Sequence, residues 1–124
     1  MKTQINSKKH YLFSYGTLQL DKVQIETYGR LLEGVKDSLL NYKLDKLKIT
    51  DAEVIKKSGK EFHPIAIKTE KSGDMIDGTI YEITEEELDS TDKYEVSDYK
   101  RILETFVSGK KAWIYIANNN NFKK

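Results

Sequence analysis

The sequence has no cysteine, and histidine and proline are nearly absent from its 124 residues: His10, His63 and Pro64 are the only examples. The lack of cysteine excludes a disulfide framework, a thiolate nucleophile and cysteine-bound zinc or iron–sulfur clusters. Two histidines leave little for a metal cage or a histidine-based triad. Any chemistry must therefore come from carboxylates, hydroxyls, amides and backbone groups.

The chain also lacks an excess of charge and a long apolar run. Lysine and arginine number 21 against 20 aspartates and glutamates, a net charge of +1. No basic field is available to bind nucleic acid or an acidic membrane. No apolar stretch approaches the roughly 20 residues of a membrane-spanning helix, and the start MKTQINSKKH has no signal-peptide core. We expect a cytoplasmic protein with neither a nucleic acid nor a membrane as partner.

The length of 124 residues predicts a single domain, residues 1–124, large enough to bury a core without covalent staples. Eight tyrosines, four phenylalanines and one tryptophan argue against disorder, although 33% of the residues are charged. The core is expected over residues 11–116, with flexible ends at 1–9 and 118–124.

Strand patterns dominate the chain. Runs of apolar and aromatic residues predict strands at 11–15, twice within 31–47 with a break near 36–38, and at 62–67, 78–83, 99–107 and 112–116. Pro64 suggests that its strand lies at a sheet edge or contains a bulge. Polar connections are predicted at 56–60 and 71–74, and Ser108-Gly109-Lys110 is predicted to close a hairpin.

One helix is predicted in detail, from residue 85 to about residue 95. Thr84 and Glu87 have the spacing of a capping box, and Ile83 and Leu88 that of a hydrophobic staple. A second helical segment is predicted at 21–28.

Glu95 is the candidate acid/base. It lies seven residues after Leu88, so the helical period returns it to the face that Leu88 turns to the core. Partial burial would raise the pKa of this carboxyl towards neutrality, where it could transfer protons. The alternative is an ordinary surface glutamate at a fraying helix end.

Tyr15-Gly16-Thr17-Leu18 directly follows the first predicted strand and is the candidate binding loop. A glycine there would let the chain turn sharply and present consecutive amides to a carboxylate or an oxyanion. The alternative is a simple tight turn. His63 is interpreted as a structural histidine, because no second histidine lies at ligand spacing.

Together these motifs resemble the gamma-glutamylcyclotransferase-like family. The resemblance rests on Tyr15-Gly16-Thr17-Leu18, then Asp92-Lys93-Tyr94-Glu95, then Tyr99-Lys100-Arg101, in that order across residues 11–116. It implies a mixed α+β fold, a small and partly closed β-barrel with a few packed helices, and a pocket at the barrel mouth.

The resemblance also implies a reaction. Relatives release 5-oxoproline from gamma-glutamyl amines or gamma-glutamyl amino acids. Here Glu95 would be the acid/base, Tyr15, Gly16, Thr17 and Leu18 would cradle the glutamyl group, and Tyr99 would line the pocket. Such a reaction needs no metal and no cofactor, and its partner is a small-molecule substrate; the oligomeric state is left open.

The chain departs from the family pattern in three places. Thr91-Asp92 replaces Leu-Asp before the Tyr-Glu pair, Val96 follows the glutamate in place of glycine, and Gln19 stands where relatives often carry a basic residue. These differences leave the substrate open. The alternatives are a non-catalytic module that binds a small carboxylate or a peptide, and a related amide hydrolase.

Overall fold

The computed structural model describes residues 9–48, 52–58, 62–71, 73–94 and 99–118. These ranges contain seven strands: β1 Lys9–Ser14, β2 Gly34–Leu40, β3 Tyr42–Lys48, β4 Phe62–Lys68, β5 Met75–Thr84, β6 Tyr99–Thr105 and β7 Lys111–Ala117. They also contain three α-helices, α1 Asp21–Tyr28, α2 Ala52–Ser58 and α3 Glu85–Tyr94, and a short 3-10 turn, Thr17–Gln19. None of the described helices has the length and apolarity needed to cross a membrane.

The strands form one sheet in the order β2-β5-β1-β7-β4-β3, and β6 pairs with β7. β6 runs antiparallel along all seven residues of β7. β1 and β4 must therefore share the opposite edge of β7, where each forms one parallel bridge, Leu12 with Trp113 and Ala66 with Ile116. We call the gap where β1 and β4 part from each other the fork.

The sheet curls into a half-barrel with a separate apolar cluster on each face. One cluster contains Leu18 and Val23 from the 3-10 turn and α1, and Leu88 from α3, so the helices cover this face. The other consists of sheet residues together with Phe106. The fold is thus the expected mixed α+β, partly closed barrel.

The predicted start of α3 is confirmed atom by atom. The amide of Thr84 donates to Glu87 Oε1 at 2.9 Å, and the amide of Glu87 donates to Thr84 Oγ1 at 3.1 Å. Ile83 and Leu88 are buried in the same cluster, as the staple requires. α1 occupies the predicted 21–28 and ends at Gly29, whose φ of 75° is left-handed.

Three local predictions are wrong, each for a physical reason. The break expected near 36–38 lies inside β2, because the chain reverses at Asn41, whose φ of 68° is tolerated by asparagine. The polar connection expected at 56–60 begins inside α2, which covers 52–58. β1 begins at Lys9, two residues before its predicted start.

Pro64 lies in an interior strand rather than at an edge. Its carbonyl accepts a hydrogen bond from the hydroxyl of Tyr99 at 2.8 Å, on the side of β4 that faces the fork. In an antiparallel pair the amide and carbonyl of a residue point to the same side, so the missing N–H of Pro64 also faces the fork. The proline therefore costs no hydrogen bond with β3.

Candidate active site

A small pocket, partly open to solvent, lies at the fork. It takes residues from the end of β1 and the turn after it, from β4, and from β6 and β7. They are Phe13, Ser14, Tyr15, Gly16, Thr17, Leu18, His63, Pro64, Tyr99 and Tyr115. All five residues predicted to bind or line the substrate site, Tyr15, Gly16, Thr17, Leu18 and Tyr99, are thus brought to one pocket.

Tyr15 joins β4 to β7 at the fork. Its hydroxyl accepts a hydrogen bond from the amide of Ala66 in β4 at 3.0 Å and donates one to the carbonyl of Tyr115 in β7 at 2.5 Å. The hydroxyl therefore replaces a direct backbone bond between β4 and β7. The ring of Tyr15 therefore lines the pocket, while its hydroxyl is hydrogen-bonded to the backbone of the sheet.

Gly16 is required by a close approach rather than by a left-handed turn. Its φ of −136° lies outside the left-handed region. A Cβ at this position would lie 3.2 Å from Pro64 Cγ, which is tighter than ordinary contact. The glycine thus lets the loop pack directly on β4.

The 3-10 turn begins directly after Gly16. Its first hydrogen bond runs from the amide of Gln19 to the carbonyl of Gly16 at 3.1 Å. The side chains of Thr17 and Leu18 are buried beneath the loop, and Leu18 belongs to the cluster under the helices. These two residues anchor the loop as well as lining the pocket.

Tyr99 and His63 form the opposite wall. Tyr99 is half-buried, and its hydroxyl bond to Pro64 ties β6 across the fork to β4. His63 is 4% exposed and lines the same pocket. The sequence pattern led us to interpret His63 as a structural residue, so it was missed as a pocket residue.

Asp92, from the predicted Asp-Lys-Tyr-Glu motif, is bound by groups from two strands. Arg101 in β6 donates from Nε to Asp92 Oδ1 at 2.9 Å and from Nη2 to Asp92 Oδ2 at 3.1 Å. The hydroxyl of Tyr115 in β7 donates to Asp92 Oδ1 at 2.5 Å. The Arg101 guanidinium lies 4.4 Å from the centre of the Trp113 ring.

Comparison with known families bears on what this pocket is. A family model described as "Gamma-glutamyl cyclotransferase, AIG2-like" matches residues 12–124. The chain belongs to this family. No curated protein sequence matches it.

Solved structures share the fold of this gamma-glutamyl cyclotransferase family member at low identity. A protein from Arabidopsis thaliana is 22% identical, with a TM-score of 0.71 over 97% of this chain and 68% of that chain. A structure described as gamma-glutamyl cyclotransferase is 15% identical, with a TM-score of 0.66 over 90% and 68%. Allophanate hydrolase from Kluyveromyces lactis is 13% identical, with a TM-score of 0.67 over 97% of this chain but 19% of its own.

Two of the family-motif differences can be placed against this geometry. Gln19 points towards β5, because its Oε1 accepts from the hydroxyl of Thr79 at 3.0 Å, and it does not line the pocket. Thr91 is fully buried in α3, and its hydroxyl donates to the carbonyl of Glu87. The predicted acid/base, Glu95, lies outside the described residues, as does Val96.

The described wall of the pocket carries no carboxylate, lysine or arginine. It consists of tyrosine rings, hydroxyls, one imidazole and apolar groups. No cluster of three metal-ligating side chains occurs in the part of the chain that the structure describes. The described residues thus form an aromatic pocket, and one of its lining residues, Tyr115, contacts Asp92 near the end of α3.

Proposed function

We propose that this family member is an enzyme that releases 5-oxoproline from a gamma-glutamyl amine or a gamma-glutamyl amino acid, with Glu95 as its acid/base. The observation that carries the proposal is the pocket at the fork, which brings Tyr15, Gly16, Thr17, Leu18 and Tyr99 together in a chain of this family. The proposal includes a single domain and a cytoplasmic location, which the cysteine-free composition favours.

The reaction is an internal acyl transfer. The α-amine of the glutamyl group attacks its own side-chain carbonyl, a carbon–nitrogen bond closes the five-membered ring, and the bond to the leaving amine breaks. One proton moves from the attacking nitrogen to the leaving nitrogen, and water is neither consumed nor released. Holding the substrate curled supplies much of the catalysis, because ring closure depends on orientation.

The pocket wall suits this task. Tyrosine rings from β6, β7 and the binding loop line the space in which the substrate would be held. Backbone amides at the start of the 3-10 turn are the groups we assign to the substrate carboxylate or to the developing oxyanion. The described wall has no carboxylate, lysine or arginine to compete with these backbone dipoles for the substrate.

Glu95 is assigned from its place in the chain. It directly follows Tyr94, the last residue of α3, and it precedes the pocket residue Tyr99 by four positions. A span of four residues reaches no farther than about 14 Å. A carboxyl group near this pocket can carry the proton between the two nitrogens, a role that contributes about 10²–10⁴-fold in rate.

The test is a panel of gamma-glutamyl amines and amino acids, with 5-oxoproline detected by mass spectrometry. We expect turnover by the wild-type protein and a loss of about 10²–10⁴-fold in kcat for Glu95→Gln. The matched control is Glu26→Gln, the same substitution at an exposed position on α1, which should keep full activity. Full activity in Glu95→Gln would refute the assignment.

The same assay separates the two alternatives. A hydrolase would add water to the products, so its acyl product would be the open-chain acid rather than the ring. A binding module would show a thermal shift with 5-oxoproline or a gamma-glutamyl compound but no turnover. An elevated pKa of the Glu95 carboxyl in an NMR titration would support the acid/base role.

A further inference from the structure

Asp92, Arg101 and Tyr115 form a three-element contact on the outer side of the pocket, which we call the brace. We infer that the brace is a positioning device: it fixes the end of α3 against the pocket wall, so that Asp92 and Arg101 act in catalysis without touching substrate. This inference rests on the proposed function, because the residue that follows the described end of α3 is the proposed acid/base.

The brace joins α3, β6 and β7 at one carboxylate. Asp92 Oδ1 accepts from Arg101 Nε at 2.9 Å and from the Tyr115 hydroxyl at 2.5 Å, and Oδ2 accepts from Arg101 Nη2 at 3.1 Å. The guanidinium is held from another side by the Trp113 ring. A guanidinium group that donates two parallel hydrogen bonds and stacks on an aromatic ring can adopt few orientations.

Both strand residues of the brace, Arg101 and Tyr115, connect it to the pocket. Tyr115 lines the pocket, and its carbonyl accepts the hydroxyl of Tyr15 from the binding loop. Arg101 lies two residues after Tyr99, which lines the opposite wall. A shift of the end of α3 would therefore be transmitted to both the wall and the binding loop.

The exposure of the pair argues that stability is not its main role. The side chain of Arg101 is 26% exposed and that of Asp92 is 38% exposed. Ion pairs this accessible to water add little to folding stability. Misplacing a reacting group by about 1 Å, by contrast, costs about 100-fold in rate. The two roles thus predict effects of very different size.

The chain supplies a matched control on the same helix. Arg30 forms a two-bond pair with Glu87 at the opposite end of α3, from Nε at 2.7 Å and from Nη2 at 2.8 Å. Neither residue lines the pocket at the fork. Removing Arg30 thus deletes the same kind of interaction from α3 without touching the brace.

The experiment compares Arg101→Gln, Arg101→Lys and Arg30→Gln with the wild-type protein on the best gamma-glutamyl substrate. For Arg101→Gln we expect kcat to fall about 10- to 100-fold with KM within about threefold. Arg101→Lys keeps the charge without the two-bond geometry and should recover part of kcat. Arg30→Gln should keep kcat within about twofold. All three variants should melt within about 4 °C of the wild type, because ion pairs this exposed contribute little to stability.

Three results would overturn the inference while leaving the proposed function intact. These are wild-type kcat in Arg101→Gln, equal losses of kcat in Arg101→Gln and Arg30→Gln, and a rise in KM at unchanged kcat. If Arg101→Gln does not fold, wild-type kcat in Arg101→Lys decides against the brace. A wild-type protein that makes no 5-oxoproline from any member of the panel overturns the proposed function and the brace together.

Discussion

Replacing Tyr15 by phenylalanine should destabilise the fold far more than a surface tyrosine change would. The substitution keeps the ring and removes only the hydroxyl that joins β4 to β7. It breaks two hydrogen bonds, each contributing about 1 kcal/mol net. It also leaves the amide of Ala66, a residue that is 0% exposed, without this acceptor, at a cost of about 1–3 kcal/mol.

The expected loss in the free energy of unfolding is therefore about 3–5 kcal/mol, which corresponds to a fall of about 12–20 °C in Tm for a domain of this size. Urea denaturation at pH 7 measures it, with an unchanged m value showing that the two end states are preserved. Tyr11→Phe is the control, because Tyr11 lies four residues earlier, in β1, and is 39% exposed. A loss below about 0.5 kcal/mol in Tyr15→Phe would refute the bridging role of the hydroxyl.

Gly16→Ala should lower kcat/KM several-fold, because the new Cβ would lie 3.2 Å from Pro64 Cγ and push the binding loop away from β4. Gly73→Ala, which meets nothing within 4 Å, should leave steady-state kinetics unchanged; equal kinetics in both variants would exclude the close-approach explanation. The hydrogen bonds from Arg30 hold the pKa of Glu87 below its ordinary value of 4.5. The stabilisation is therefore present above that pH and is lost as the pH falls through the lowered pKa. Arg30→Gln should cost up to about 1 kcal/mol at pH 7 and progressively less as the pH falls through the lowered pKa of Glu87, as a series of urea denaturations at falling pH would reveal.

The parts of the fold that the sequence predicted well are those set by local interactions. The capping box of Thr84 and Glu87 lies within four residues, and the hairpin at Gly109 is closed by a left-handed glycine with a φ of 92°. The reversal at Asn41 was misplaced, because Asp37 and Ser38 look like turn residues. In the structure Asp37 accepts from the amide and the hydroxyl of Ser108 instead.

The pocket depends on pairing between distant segments, and its geometry could not be predicted from local patterns. The motif at Tyr15 indicated a binding loop. Nothing in it indicated that the hydroxyl of Tyr15 would be used by backbone groups 51 and 100 residues away. His63 gave one available signal, its place before the only proline, and that signal was interpreted as structural. The family resemblance supplied the set of residues, while the fork determines how they meet.

The fork has a consequence for how this cavity can change. The cavity exists because β1 and β4 each form only one parallel bridge with β7 in the described residues. A further bridge between β7 and either β1 or β4 would strengthen the sheet but fill the cavity with main chain. Greater rigidity of the sheet at the fork therefore reduces the volume of the pocket. The lining tyrosines are subject to the same constraint, because the hydroxyls of Tyr15 and Tyr99 tie β4 to β7 and to β6, so a change of ligand preference at these positions would also change the stability of the sheet.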